Sequence, residues 1–304
     1  MNEGNIKHLY IIGNGFDLFT GLETSYSNFR KWLERNYAFI YEALTSAYDA
    51  NGEWWNDFEC QLGNLDIAKY ADRYLPKKMT KKEVMEAIRF RKEHEDEGDG
   101  LPNTYMDSPC AHRLERLLDI LQYCFEKWVQ DARFTCSKYH FTHLEKEDSI
   151  FINFNYTDTL EIHYGIPEDR VIHIHGRASK HEHLVFGHNN WRFSDDFHNN
   201  DEQKVREVLN RYEKNPYYYI AHYNFWEAEW LRSIEHIHVL GFSFSGVDID
   251  YLDWIANHTG RKCDWEVSWH REEDKNRIND FISETPQLRG RLRLIQIEEV
   301  PSSA

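Results

Sequence analysis

The sequence predicts an α/β fold, a mainly parallel sheet with helices on its faces and a large helical insertion. Three observations carry this reading. A short apolar run, His8–Ile12, stops at Gly13-Asn14-Gly15. No strand pattern follows between about residues 26 and 145. Beyond that point short apolar runs return, the later ones separated by helical patterns.

The elements follow in chain order. His8-Leu9-Tyr10-Ile11-Ile12 is apolar without alternation, as expected of a central strand covered on both faces, and it feeds a tight turn. Thr24 or Ser25 then caps a helix carrying Tyr26, Phe29, Leu33 and Tyr37 at near-helical spacing. Leu114, Leu117, Leu118, Leu121, Phe125 and Trp128 form the stripe of a long amphipathic helix. The charged stretch Glu93–Asp107, with Gly98, Gly100 and Pro102, reads as a loop. Strands are expected at Ser149–Phe154, Val171–Ile174, Ile237–Leu240, Trp265–Trp269 and Leu292–Ile297. Helices are expected around Val205–Tyr212, Tyr251–Ile255 and Ile278–Ile282. Residues 1–25 and 146–304 therefore read as the sheet domain, and 26–145 as the helical insertion.

Composition narrows the function. With 41% hydrophobic and 15% aromatic residues in 304, the chain has ample material for a core. Acids outnumber bases 52 to 36, a formal charge of −16, which argues against a nucleic-acid partner because phosphate neutralisation needs basic surface. A bound nucleotide stays open, since backbone N–H groups at a helix start hold a diphosphate without Lys or Arg. The five cysteines form no C-x-x-C pair, so reduced thiols in a cytoplasmic protein are expected rather than a disulfide frame or zinc ribbon. No apolar stretch approaches the roughly 18 residues of a membrane span.

Four strand ends carry candidate chemistry. Gly13-Asn14-Gly15-Phe16-Asp17 offers a close backbone approach, but Leu18 stands where G-x-G-x-x-G would place its third glycine. Asn153-Phe154-Asn155-Tyr156-Thr157-Asp158 sets polar side chains where open α/β sheets bind ligands, though Asn and Asp also serve as turn residues. In His173-Ile174-His175-Gly176-Arg177 the two histidines are expected on opposite faces, unable to chelate one metal together, with His175 the better placed for a ligand. Leu240-Gly241-Phe242-Ser243-Phe244-Ser245-Gly246-Val247-Asp248 runs from a strand into hydroxyls and a helix, and it misses G-x-S-x-G by one position.

Taken with Gly21–Tyr26, Trp55-Asn56-Asp57-Phe58-Glu59 and Phe186-Gly187-His188, these blocks resemble the AbiH-type phage abortive-infection family over nearly the whole chain. They resemble more distantly the NAD-binding motifs of the sirtuin superfamily, which implies a sirtuin-like, Rossmann-type sheet. Thr157 stands in place of that motif's Asp, Asp17 in place of its hydroxyl, and the zinc-binding cysteines of the deacylating members are missing. The resemblance implies NAD as substrate or ligand, without a metal, and cleavage of the nicotinamide–ribose bond. His175 would act as general base, Asn155 would orient the ribose or water, and Asp17 or Asp158 would stabilise developing positive charge. Gly13, Asn14, Gly15, Phe16, Thr157, Gly176, Gly241, Ser243, Ser245 and Asp248 would line the nucleotide. Two other classes stay open: a module that senses a nucleotide without turnover, and a metal-dependent nuclease or nucleotidase built on His175, His188, Asp57 and Glu59. The Trp55–Glu59 block reads more readily as packing than as a lid. The insertion is where a phage trigger protein or self-association is expected.

Overall fold

The computed structural model describes residues 6–72, 108–132, 140–141, 144, 147–188, 200–216, 219–220, 229–244, 246–300 and 302–303. The strands are β1 (His8–Ile12), β2 (His140–Phe141), β3 (Ser149–Asn153), β4 (Val171–His173), β5 (His236–Leu240), β6 (Asp264–Trp269), β7 (Leu292–Gln296) and β8 (Ser302–Ser303). Six of them make one parallel sheet in the order β4-β3-β1-β5-β6-β7. The first strand is central, as its unbroken apolar run requires. Leu9 and Ile11 enter one core with Ile150, Ile152, Ile237 and Val239. Tyr10 and Ile12 enter the opposite core with Phe151 and Leu240. Alternation along a strand is invisible in the sequence when both of its faces meet apolar partners.

The helices, in chain order, are α1 (Asn14–Thr20), α2 (Tyr26–Asn36), α3 (Ala38–Tyr48), α4 (Phe58–Leu62), α5 (Ile67–Asp72) and α6 (Pro109–Asp131). They continue with α7 (Thr159–Tyr164), α8 (Asn200–Arg211), α9 (Ile249–His258) and α10 (Glu272–Glu284). Ser25 is the cap of α2, its Oγ accepting from Asn28 N at 3.2 Å. The sequence gives no warning of β2, which pairs antiparallel with β8 over two residues each. Two residues are too few to show a period. The stretch Glu93–Asp107 lies outside the described residues.

The chain falls into two compact units. The first holds the parallel sheet and comprises Met1–Thr24, Ala132–Val185 and Asn215–Ala304. The second comprises Ser25–Asp131 and Phe186–Lys214, so α8, assigned with the sheet from the sequence, packs among the helices of the insertion. Its core is aromatic. Phe58 stacks on Trp55 at 5.2 Å and meets Phe29 at 5.5 Å, and Phe125 stacks on Phe186 at 4.7 Å. In the same unit Lys214 Nζ lies 3.0 Å from the Glu59 carboxylate, with both residues buried. Trp55, Phe58 and Glu59 therefore serve packing, as expected of that block.

Candidate functional site

The parallel order reverses direction at β1, with β3 and β4 on one side and β5, β6 and β7 on the other. Open α/β sheets bind ligands outside the carboxyl ends of their strands at such a switch point. Here two turns meet. Gly13 N donates to Leu240 O at 3.0 Å and Gly15 N to Gly241 O at 2.8 Å. Gly241 holds φ +65°, and a Cβ added there would stand 2.0 Å from Phe16 N. A Cβ on Gly13 would stand 2.7 Å from Gly241 O, and one on Gly15 2.8 Å from the same atom. These glycines are explained by the approach of two backbones, and the Gly13 and Gly15 N–H groups are engaged within the protein.

The turn aims Asp17 inward from the first helix, where it is 1% exposed. Thr157 Oγ1 donates to Asp17 Oδ2 at 2.5 Å and in turn contacts Thr159 Oγ1 at 3.1 Å. The Nδ2 of Asn155 donates to Gly13 O at 3.1 Å. Asn153 braces the segment, its Oδ1 accepting from Asn155 N and its Nδ2 donating to Thr157 O. Burial pushes the Asp17 carboxyl up to about 6, against the hydrogen bonds from Thr157, Thr159 and Asn155 and the charge of His173.

His175 extends the line of contacts toward β5. Its Nδ1 lies 3.3 Å from Phe154 O, so Nδ1 carries a proton and donates, and in the neutral ring Nε2 is the lone pair. Asp248 Oδ1 stands 3.2 Å from Nε2 but is not aligned for a hydrogen bond. The ring is 1% exposed and edged by Phe154 and Tyr251. Gly176, at φ +81°, lets the chain turn beneath His183 O, 2.3 Å from where its Cβ would be. Asp17, Asn155, His175 and Asp248 thus follow the carboxyl ends of β1, β3, β4 and β5, and of the four the last two approach one another, at 3.2 Å.

The two histidines do face different surroundings, but the cause is not strand alternation. Residues two apart on an unbroken strand share a face. The strand ends at His173, and the turn through Ile174–Gly176 redirects His175. His173 instead pairs with Glu161.

Other expected residues have different surroundings. Asp158 meets Arg177 at 3.4 Å. Asn14 Nδ2 donates to Thr24 O at 2.9 Å. Phe16 is fully buried, stacked on Phe141 at 5.2 Å, so its ring belongs to the core. Ser243 is exposed, its carbonyl accepting from Arg277, and Ser245 lies outside the described residues. In the second unit His188 Nε2 donates to Leu209 O at 3.0 Å, and burial pushes its ring down to about 4, which keeps it neutral. Glu59 is paired with Lys214.

A family model described as bacteriophage abortive infection AbiH matches residues 9–269. The chain belongs to this family. The AbiH match runs from β1 to the end of β6, so it contains Asp17, Asn155, His175 and Asp248 and reaches into both units. No curated protein matches the chain. Among the described residues no helix is long and apolar enough to cross a membrane.

Thr159, which contacts Thr157, and the linked Glu161, His173 and Arg177 were not selected from the sequence. The available signal was the spacing of Asp158 and Glu161, which share one face of a helix, together with a basic residue directly after His175-Gly176.

Proposed function

We propose that this AbiH protein binds NAD at the carboxyl ends of its central strands and hydrolyses the nicotinamide–ribose bond. The observation that carries the reading is that Asp17, Asn155, His175 and Asp248, two carboxylates, an amide and an imidazole, all follow strands at the carboxyl end of the sheet about the switch point. Nicotinamide is cationic in NAD and leaves neutral, so the C1′–N bond breaks with its electron pair going to the ring nitrogen and no acid is required. The oxocarbenium-like ribose that develops resembles the transition state of glycoside hydrolysis. Asp17 supplies the negative charge beside it. Asn155, its amide nitrogen committed to Gly13, presents its carbonyl oxygen to the attacking water. His175 Nε2 takes the water's proton as the C1′–O bond forms, and Asp248 favours the imidazolium produced.

A sensor that binds without turnover is favoured by one observation: Asp17, Asn155 and His175 are each at most 4% exposed. One experiment separates the readings. Purified wild type, Asn155→Ala and His175→Ala are incubated with NAD, products are separated as nicotinamide and ADP-ribose, and melting is followed in the same preparations. Hydrolysis predicts release by wild type and its loss in both variants. No release by wild type, with melting raised by NAD through linkage, moves the assignment to the sensor. Equal release by all three refutes the site.

A further inference from the structure

His175 is weakly fixed by its own ring. Its Nδ1 donates to Phe154 O at 3.3 Å, longer than the usual range for such a bond, and Nε2 is buried with no hydrogen bond. The next residue is Gly176 at φ +81°, and beyond it stands Arg177, whose side chain is 9% exposed. Arg177 Nη2 lies 3.4 Å from Asp158 Oδ2. Its Nη1 lies 3.7 Å from Glu161 Oε1 and 3.2 Å from Glu168 Oε1. Asp158 precedes α7, Glu161 belongs to it, and Glu168 stands in the turn before β4. One guanidinium thus joins three segments, and three carboxylates about it are more charge than packing requires. Glu161 is held in turn by His173, whose Nε2 is 2.7 Å from Oε1.

The segment that Arg177 anchors returns to the histidine. Val185 N donates to His175 O at 2.9 Å, which closes residues 176–184 into a loop on that carbonyl. Ala178 N donates to Tyr156 O at 3.0 Å, and the Tyr156 hydroxyl donates to Val185 O at 3.0 Å. Both ends of the loop therefore sit on His175, and Arg177 carries the buried charge that ties it to α7. A guanidinium suits this task because its planar fork fixes direction, whereas an ammonium is a point charge.

We propose that Arg177, held by Asp158, Glu161 and Glu168, is a positioning residue that keeps the His175 imidazole in the orientation a general base requires. The inference rests on the reading of the site given above. A reacting group displaced by about 1 Å can lose on the order of 10²-fold in rate, so a fixed loop behind a loosely bonded ring has a kinetic consequence. Asp158 then acts through Arg177, with its carboxylate engaged by the guanidinium and not by a ribose cation.

The test watches the His175 ring by proton–carbon NMR of the full chain labelled at histidine, with its signals identified by disappearance in His175→Ala. In Arg177→Gln the His175 signals are expected to move and broaden, while those of His188 in the helical unit stay in place. In the NAD assay the same variant should lower kcat about 10- to 100-fold and leave KM within about twofold. Arg177→Lys should recover part of both effects. In the His175→Ala background Arg177→Gln should cost nothing further. Unchanged His175 signals in folded Arg177→Gln overturn the proposal, and so does a full loss of rate from Arg177→Gln when His175 is already absent. Should Arg177→Gln fail to fold, Arg177→Lys decides by the ring signals, where no change overturns it. Wild type without turnover sinks the hydrolase reading, while the ring signals still decide the role of Arg177.

Discussion

Each unit of the molecule buries charge, and the two do so differently. In the helical unit Lys214 Nζ lies 3.0 Å from the Glu59 carboxylate, a cation against an anion, with both residues buried. At the carboxyl end of the sheet the Asp17 carboxylate accepts from the Thr157 hydroxyl, while its other oxygen, His173 Nδ1 and Glu161 Oε2 are buried without hydrogen bonds. A buried polar atom left unsatisfied costs on the order of 1–3 kcal/mol. The first arrangement is what a fold needs when it must enclose an ion. The second keeps polar capacity at the place where open sheets take ligands, a cost that folding alone does not explain.

The comparison breaks most sharply at His175. His175→Ala should lower NAD turnover by about 10²- to 10⁴-fold, the usual loss for a positioned general base, while far-UV circular dichroism stays that of the wild type. Lys214→Ala should do the reverse. It takes the Lys214 cation from the buried Glu59 carboxylate and should lower unfolding free energy by about 3–5 kcal/mol, measured by urea titration. Lys214→Met combined with Glu59→Leu should recover most of that loss, because neither charge is then buried without the other. If the double variant is as unstable as the single one, the pair is more than a packed neutral unit and the contrast fails.

Asp17 sharpens the comparison through pH. Its carboxyl sits at about 6 in the folded chain against an ordinary value of 3.8, so between these values the folded state binds more protons than the unfolded one. Its contribution to stability is therefore complete below about pH 4 and is lost as pH rises through 6. Asp17→Asn should remove that slope and gain about 3 kcal/mol relative to wild type at pH 7 compared with pH 4, read from urea midpoints at both. A constant difference between the two proteins across this range would show that Asp17 is not held by burial. The smallest effect is expected at Thr157→Val. Removing one donor to Asp17 should cost about 1–3 kcal/mol at neutral pH, and less at pH 4 where the acid can donate for itself.

Much of the fold was legible in the sequence because its strands announce themselves by composition. The runs at residues 8–12 and 237–240 contain few polar residues and end at glycine, so the parallel sheet and its central strand follow from burial on both faces. The AbiH blocks were legible as well, since they sit at strand ends whose residue types are unusual together. The β2–β8 ladder was not, because two-residue strands have no period. Nor was the place of α8, whose stripe of Val205, Val208 and Leu209 states that one face is buried but not against which partner. At the site, Asp17, Asn155 and His175 were selected for their position, whereas Glu161 and Arg177 acquire meaning only through distances. The role expected of the glycines also changed character: a G-x-G turn reads the same whether a phosphate or another backbone lies against it.

That last contact constrains how this protein can vary. Gly13, Gly15 and Gly241 occupy a volume in which two main chains already touch, so a methyl group at any of the three displaces backbone rather than a side chain. In a library of all single substitutions scored only for soluble, folded protein, these positions should stand out as three nearly empty columns. No second substitution elsewhere among side chains should refill them, because no side chain can retreat to make the room. Such a scan records intolerance beside the carboxyl ends of the central strands that owes nothing to chemistry.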